Sequence, residues 1–342
     1  MPDKHQNLPS MLRFLARSEV DTGAWDACVA ASKQRIIYGY SWYLDALTGQ
    51  GEWSGSVPVA PLMRWDGLVI VGDAGTYRAV MPVPLRRKFG RWVVHQPLFC
   101  QFLSVFSRDE AVNPMSLLQA VQQQYRYGSI LCLGQFPHLA VGFNAIRQRT
   151  THVLDLSVGY EVIAGRYTRD RKLNLRRAID YNWLITDSTD PEPLLNLFRT
   201  HHADGIDGGV GEWAYTILRR LIGALQQRGL ATLRYALVNE QTEAGALFVQ
   251  EGNRIIYLFN AASQTGRKGN ARTLLIDQII RERAGHSHTG KPLIFDFESP
   301  EKETVVDFYR SFSAVDDLFW DVRWNRLTVL ERAAKHLLAL LR

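Results

Sequence analysis

The chain has 342 residues, of which 46% are hydrophobic and 22% charged. This balance excludes an intrinsically disordered protein and gives enough length for two domains. Forty Lys and Arg residues against 34 Asp and Glu give a formal charge of +6. That surplus suits a polyanionic ligand such as a nucleotide-linked substrate or RNA, but it is at least as common in proteins that bind neither.

Cysteine usage and the absence of long apolar runs bear on the compartment. Cys28, Cys100 and Cys132 are widely spaced and form no CxxC pair, which argues against a disulfide framework or a structural zinc site. The N-terminal segment lacks the apolar stretch of a signal peptide, and no later run has the length needed to span a bilayer. We therefore predict a cytoplasmic protein without an integral membrane segment.

The first part of the chain alternates between helix and strand patterns. Two helices are predicted in "AWDACVAAS" and "SWYLDAL". Four strands follow in "GLVIVG", "TYRAVMPVPLRR", "RWVVHQPLF" and "FLSVFS", separated by Gly, Pro and polar turns. A helix in "PMSLLQAVQQQYRYG", with Pro114 near its start, then precedes a strand in "SILCLG".

A similar order begins again near Thr151. The strand "THVLDLS" is followed by a very basic helix and by two amphipathic helices, "PEPLLNLFRTHHADG" and "EWAYTILRRLIGALQQRG". Three strands come next, with hairpin turns predicted at Asn239–Glu240 and Gly252–Asn253. A glycine-containing loop, the helix "ARTLLIDQIIRERAG", the strand "PLIFDFES" and a C-terminal helix from about Asn325 to Arg342 complete the chain.

The repeated order predicts two similar α/β (α+β) units, each with a mixed, mainly antiparallel sheet flanked by helices. We place the boundary near the segment "RQRTTHV", giving an N-terminal domain of residues 1–150 and a C-terminal domain of residues 151–342 that includes the C-terminal helix. No Gly/Ser linker separates the two.

The loop between "RIIYLFNAAS" and the next helix is a candidate anion site. It carries Gly266 and Gly269, and backbone N–H groups at a helix N-terminus favour a phosphate. Arg267, Lys268 and Arg272 add positive charge at the same place. The alternative is a solvated glycine turn that binds nothing.

The order of strand, glycine loop, helix, acidic strand and aromatic helix resembles that of the GNAT superfamily of acyltransferases. Their cofactor loop reads Arg/Gln-x-x-Gly-x-Gly/Ala and holds the pyrophosphate of acyl-CoA; Gly269 and Ala271 match its end, and Gly266 stands where Arg or Gln is usual. The resemblance implies that the donor contacts Gly266, Arg267, Lys268, Gly269, Asn270 and Ala271.

Two further stretches are similar to the Fem-type aminoacyltransferases. "FDFES" with "VVDFYRSFSA" resembles their Asp-Phe-x-Gly strand and Phe-Lys-x-x-Phe segment. "YTRDRKLNLRRAI" resembles the basic helix that opens the second domain of a FemAB-like group, and Lys172 and Arg176 on it would contact substrate. The resemblance implies a double-GNAT acyl- or aminoacyltransferase. Its donor substrate would be acyl-CoA or aminoacyl-tRNA, its acceptor an amine, and it would hold no tightly bound cofactor.

The resemblance also supplies roles for three side chains. Tyr309 stands where the Fem enzymes have Lys, and it is similar to the GNAT tyrosine that protonates the departing thiolate. Asp296 and Glu298 lie two residues apart, so a regular strand would place both on one face, where either could act as the base. The alternatives stay open: Asp296 may accept hydrogen bonds from a turn, and Tyr309 may be a core residue.

Other charged groups have simpler interpretations. The basic run from Arg169 to Arg177 is typical of a solvated helix face, with contact to a phosphate-bearing substrate as the second interpretation. His201, His202 and the pair His286 and His288 lack a matching cluster of ligands, so no metal site is predicted. The rival function is a non-catalytic double-GNAT protein that binds a nucleotide-linked ligand or a protein partner.

Overall fold

The computed structural model describes residues 12–51, 63–88, 90–133, 143–288, 291–298, 302–328 and 331. By its contacts the chain divides into two compact units, which we call unit 1 (Met1–Arg149 with Phe319–Arg342) and unit 2 (Thr150–Leu318). The division at residue 150 lies where the sequence placed a domain boundary. The segment from Phe319 onward lies with unit 1, whereas the sequence analysis grouped it with the second domain.

The first elements of the chain belong to unit 1. They are β1 (Leu12–Ala16), α1 (Thr22–Ala31), α2 (Ser41–Thr48), β2 (Met63–Val71), β3 (Tyr77–Lys88), β4 (Arg91–Val94), β5 (Phe106–Ser107), α3 (Pro114–Gln124) and β6 (Tyr127–Cys132). Asn113 caps α3 by accepting a hydrogen bond from the Met115 N–H, and Pro114 begins the helix, as its fixed φ favours.

The remaining elements lie in unit 2, apart from the ends of two strands that extend into unit 1. They are β7 (Ala145–Asp155), α4 (Tyr160–Gly165), α5 (Arg169–Asp180), β8 (Leu184–Ser188), α6 (Glu192–His201), α7 (Glu212–Gln227), β9 (Ala231–Val238), β10 (Gln241–Glu251), β11 (Arg254–Ala262), α8 (Gln264–Lys268), α9 (Ala271–Arg283), β12 (Ser287–His288), β13 (Lys291–Pro292), β14 (Ile294–Asp296), α10 (Glu303–Arg310) and β15 (Val315–Asn325).

In unit 1 the strands are ordered β1-β2-β3-β4-β6-β15, and the pairs are antiparallel except for β4 with β6. Trp320 to Asn325 of β15 pair with β6, which is why this segment lies with unit 1. β15 therefore reaches Asn325, where the sequence predicted the start of a helix. The rest of that predicted helix lies outside the described residues, apart from residues 326–328 and 331.

In unit 2 the order is β7-β14-β11-β10-β9-β8, and only β11 and β14 run parallel. Both predicted hairpin turns are present: Asn239, Glu240 and Gly252 have φ of 49°, 62° and 57°, the left-handed conformation that tight hairpins need. The core beside β11 and β14 is rich in aromatic residues, among them Phe248, Tyr257, Phe295, Phe297, Tyr309 and Phe312.

No helix within the described part of the chain is both long and apolar enough to cross a membrane.

Candidate active site

The parallel strands β11 and β14 pair over only three residues. Arg254, Ile255 and Ile256 face Ile294, Phe295 and Asp296, and the pairing then stops although β11 continues to Ala262. Among the described residues, no strand pairs with this edge of β11 beyond Ile256. The two strands therefore leave a cleft, and an extended ligand can enter it and hydrogen-bond to the free strand edge.

A β-bulge lies beside this cleft. Phe248 of β10 pairs with Tyr257 and Leu247 pairs with Phe259, so Leu258 is the extra residue in β11. The bulge redirects the side chains that follow: the Phe259 ring lies 4.8 Å from Phe198 of α6. The next residue, Asn260, accepts a hydrogen bond of 3.0 Å from Arg272 of α9. Bulges often re-aim side chains next to active sites in this way.

The predicted glycine loop is largely helical. Ser263 caps α8 by accepting a hydrogen bond of 3.0 Å from the Gly266 N–H, and the Gly269 N–H donates to the Thr265 carbonyl at 2.8 Å. A Cβ at Gly266 would overlap the Glu243 carbonyl, and one at Gly269 would overlap the indole of Trp183. Both glycines are thus needed for packing, and their N–H groups are already used within the protein.

The groups left for an anion lie at the start of α9. The first N–H groups of a helix have no intrahelical partner, and here they belong to Ala271 and Arg272, directly after Asn270 in the left-handed conformation (φ 55°). Arg267 and Lys268 are exposed close by in the chain, and Arg272 is half-buried. This end of α9 offers backbone donors, a favourable helix dipole and cationic side chains to a phosphate.

Tyr309 on α10 lies at the base of the cleft. It is 7% exposed, and its ring centroid is 4.8 Å from Phe297, 6.3 Å from Tyr257 and 6.2 Å from His152. Burial raises the pKa of Tyr309 well above its ordinary value, and Tyr257 and Glu298 add to this, while Arg272 opposes it. The phenol therefore keeps its proton at neutral pH and can donate it.

Asp296 is fully buried and completely paired. Its carboxylate accepts hydrogen bonds from Arg254 at 2.5 Å, from the Thr151 hydroxyl at 2.7 Å and from the Glu298 N–H at 2.8 Å. Arg254 lies on the same face of the sheet, whereas the next residue of the strand packs on Tyr309. The carboxylate of Asp296 thus holds the end of β14 in place.

Glu298 follows the strand rather than continuing it. β14 ends at Asp296, and Glu298 has φ of 63°, so the regular alternation that would have placed both carboxylates on one face does not reach Glu298. Its side chain is half-buried, and its charge is near enough to raise the pKa of Tyr309. The carbonyl of Glu298 lies 3.5 Å from Nδ1 of the buried His152.

The two basic residues expected to contact substrate are exposed on α5. Lys172 donates a hydrogen bond of 2.6 Å to the Gly165 carbonyl, and Arg176 is open to solvent. Their neighbour Arg171 is instead buried: it donates to the Ser311 hydroxyl at 2.8 Å and to Thr273 near the start of α9. Its guanidinium lies 4.2 Å from the centre of the Phe308 ring. Arg171 therefore fixes α5 beside the candidate anion site.

Histidine provides no metal site in the described part of the chain, where no group of three or more His, Cys, Asp or Glu is placed to hold an ion. Nε2 of His202 lies 3.1 Å from the Ala262 N–H at the end of β11, and burial lowers the pKa of His202. Its neutral imidazole can accept this hydrogen bond.

Sequence reasoning missed Tyr257 and His152, and it mentioned Arg272 only as a source of charge. Tyr257 and His152 are inconspicuous members of apolar strands, and only the cleft gives them meaning. The signal that could have pointed to Tyr257 is its position five residues before the end of the strand that leads into the glycine loop.

Comparison with known proteins agrees with this architecture. Residues 165–294 match the family model of the GNAT acetyltransferase domain, so unit 2 carries a GNAT domain, as the motif resemblance implied. A comparison with curated proteins finds no significant match.

Several solved structures share the fold over nearly the whole chain. FemX has a TM-score of 0.60 at 11% identity, covering 90% of this chain and 97% of its own. A conserved protein of unknown function from Bacteroides thetaiotaomicron has a TM-score of 0.54 at 12% identity, covering 92% and 100%. A domain described as the C-terminal part of a lysylphosphatidylglycerol synthetase from Agrobacterium fabrum has 0.51 at 11%, covering 93% and 97%. The predicted fold class is confirmed.

Proposed function

We propose that unit 2 is an N-acyltransferase. It binds an activated acyl group on a phosphate-bearing carrier in the cleft between β11 and β14 and transfers that group to an amine. The observation that carries the proposal is the divergence of these two parallel strands, with the start of α9 at one end and Tyr309 at the other. The GNAT domain match over residues 165–294 supports the reaction class.

The chemistry needs a deprotonated amine and an acid for the leaving group. The amine nitrogen attacks the carbonyl carbon, and the C=O electron pair moves onto the oxygen. When this intermediate collapses, the carrier leaves as a thiolate or as a ribose oxygen, which takes the proton of Tyr309. The raised pKa of the buried Tyr309 favours this role because the phenol is protonated before each turnover.

Glu298 is our proposed base. It removes the proton that the amine loses, directly or through a water molecule. Asp296 is then a positioning residue, because it binds the Glu298 N–H and the Arg254 side chain at once. This division of labour follows from the complete pairing of the Asp296 carboxylate within the protein.

The carrier is assigned to the start of α9. The N–H groups of Ala271 and Arg272 and the side chains of Arg267, Lys268 and Arg272 would bind its phosphates, with Gly266, Gly269 and Asn270 shaping the turn. The exposed Lys172 and Arg176 on α5 suit a longer polyanion. Acyl-CoA and aminoacyl-tRNA share this phosphate chemistry and differ in how much of the basic surface they cover.

Two binding measurements on the full chain test the proposal. Acetyl-CoA is titrated in a calorimeter, and bulk aminoacyl-tRNA is used in a gel-shift assay with uncharged tRNA as the competitor. We expect saturable binding of one donor class. CoA binding that survives Lys172→Ala/Arg176→Ala identifies a thioester donor, whereas tRNA binding lost in that variant identifies the larger carrier. Binding of neither class would overturn the proposal. Binding without turnover over a panel of amines would favour a non-catalytic protein.

A further inference from the structure

Tyr257 carries a buried hydroxyl without a hydrogen-bond partner among the described residues. The residue is 3% exposed. Buried tyrosine hydroxyls nearly always find a partner, because an unsatisfied one loses its bonds to water and gains nothing in return. An exception next to a candidate site therefore needs an explanation.

The position of Tyr257 suggests what the missing partner is. Pairing of β11 with β14 ends at Ile256, and the bulge begins at Leu258, so Tyr257 lies where the cleft opens. Its ring lies 6.3 Å from that of Tyr309, at an interplanar angle of 81°. The two tyrosines therefore face each other across the same end of the cleft.

We propose that the Tyr257 hydroxyl donates a hydrogen bond to the carbonyl oxygen of the bound acyl donor. The inference rests on the proposed acyl transfer and adds a residue to it. As the amine attacks, the C=O electron pair moves onto this oxygen, and a donor aimed at it stabilises the developing charge. Tyr309 then serves the leaving group and Tyr257 the carbonyl oxygen, so the two phenols have different tasks.

The protonation state of Tyr257 fits this task. Burial raises its pKa to about 12, with the nearby Arg272 acting in the opposite direction. The hydroxyl thus remains a hydrogen-bond donor across the physiological range.

Acetyl-CoA and its thioether analogue S-ethyl-CoA, which lacks the carbonyl oxygen, provide the test. We expect wild-type protein to prefer acetyl-CoA by roughly 3- to 10-fold, the range of one hydrogen bond, and Tyr257→Phe to bind both equally. On an identified amine, kcat of the variant should fall by about 10²- to 10³-fold. Tyr215→Phe is the matched control, because Tyr215 on α7 also has a buried hydroxyl without a described partner but packs against Phe198, away from the cleft.

Thermal unfolding separates this role from a structural one. Removing an unsatisfied hydroxyl should leave the melting temperature of Tyr257→Phe equal to or above that of the wild type. A clear drop would mean that the hydroxyl has a protein partner and would overturn the inference. An unchanged preference for acetyl-CoA in the variant would also overturn it while leaving acyl transfer intact. If the wild type binds neither compound, the CoA donor and this contact are both rejected.

Discussion

Gly269 lies directly beneath the indole of Trp183, whose Nε1 donates a hydrogen bond of 3.0 Å to the Gly269 carbonyl. This contact makes the glycine a packing residue as well as part of a turn. We predict that Gly269→Ala destabilises the protein by about 1–3 kcal/mol, because its Cβ would overlap the indole. Chemical denaturation measures the change.

Gly223 in the middle of α7 is the control for that experiment. A Cβ at this position meets nothing within 4 Å, so Gly223→Ala should stabilise the protein by about 0.5–1 kcal/mol through helix propensity. Equal effects at the two glycines would show that the contact with Trp183 does not constrain the loop.

Tyr309→Phe tests the proposed acid. The substitution removes one hydroxyl and keeps the ring against Phe297, so the fold should hold while kcat falls by about 10²- to 10⁴-fold. Because the pKa of Tyr309 is raised, the wild-type rate should show no alkaline decline from this group up to pH about 10, the ordinary tyrosine value. Full activity in the variant would place the acid elsewhere.

The same raised pKa links stability to pH. The folded state holds the Tyr309 proton more tightly than the unfolded state, so its contribution to stability is complete below about pH 10 and is lost as the pH rises toward the folded pKa. Denaturation midpoints should therefore fall above this pH, and fall less in Tyr309→Phe. An equal alkaline loss in both proteins would show that Tyr309 is not perturbed.

At this scale the sequence predicts residue types better than their surroundings. "DFYRSF" drew attention to Tyr309 because aromatic residues flank it, and that position is next to the cleft. Asp296 and Glu298 were also identified, but strand alternation predicted one shared face. The turn at Glu298, which the Asp296 carboxylate stabilises through its N–H, separates them. Such a contact follows from the three-dimensional path of the chain and leaves no periodicity to detect.

At the scale of elements, α9 carries the anion proposal. We predict that Arg272→Ala weakens acetyl-CoA binding by about 10-fold, the loss expected for one charge-assisted hydrogen bond. Arg283→Ala removes the same charge from the other end of α9, where the dipole disfavours an anion, and should change affinity little. Calorimetry with both variants measures this. Equal losses would indicate only a general charge effect.

The prediction of elements succeeded where turn chemistry was explicit. Asn239–Glu240 and Gly252 mark the hairpins β9–β10 and β10–β11. It failed for β8, whose sequence "LITDS" is short and mostly exposed, since an edge strand has only one face to bury. It also missed β15, whose "VDDLFWDVRWN" pattern mixes acids with aromatics. In both cases the pairing partner defines the strand.

At the scale of the whole molecule, each unit contains one parallel strand pair, but only that of unit 2 opens. In unit 1, β4 and β6 meet at Val94 and Gly128. Beyond this point Leu103 pairs with β6 instead, through the Leu103 N–H to Leu131 carbonyl and the Leu133 N–H to Leu103 carbonyl, each 2.7 Å. The Gln96 side chain accepts a further hydrogen bond of 3.2 Å from the Leu131 N–H. The protein's own chain thus fills this opening.

We therefore predict one donor site per chain. Calorimetric titration of acetyl-CoA should give a stoichiometry of about one, because only the β11 edge has free backbone groups for an extended ligand. Arg272→Ala should weaken this single site without revealing another. A stoichiometry near two would show that the opening in unit 1 also binds donor.

A structure of the protein with acetyl-CoA tests the central claim most directly. We predict that the diphosphate lies at the N–H groups of Ala271 and Arg272, that the pantetheine arm runs along the β11 edge beyond Ile256, and that the acetyl group ends between Tyr257 and Tyr309. Acetyl-CoA bound elsewhere, with the cleft between β11 and β14 empty, would contradict the account.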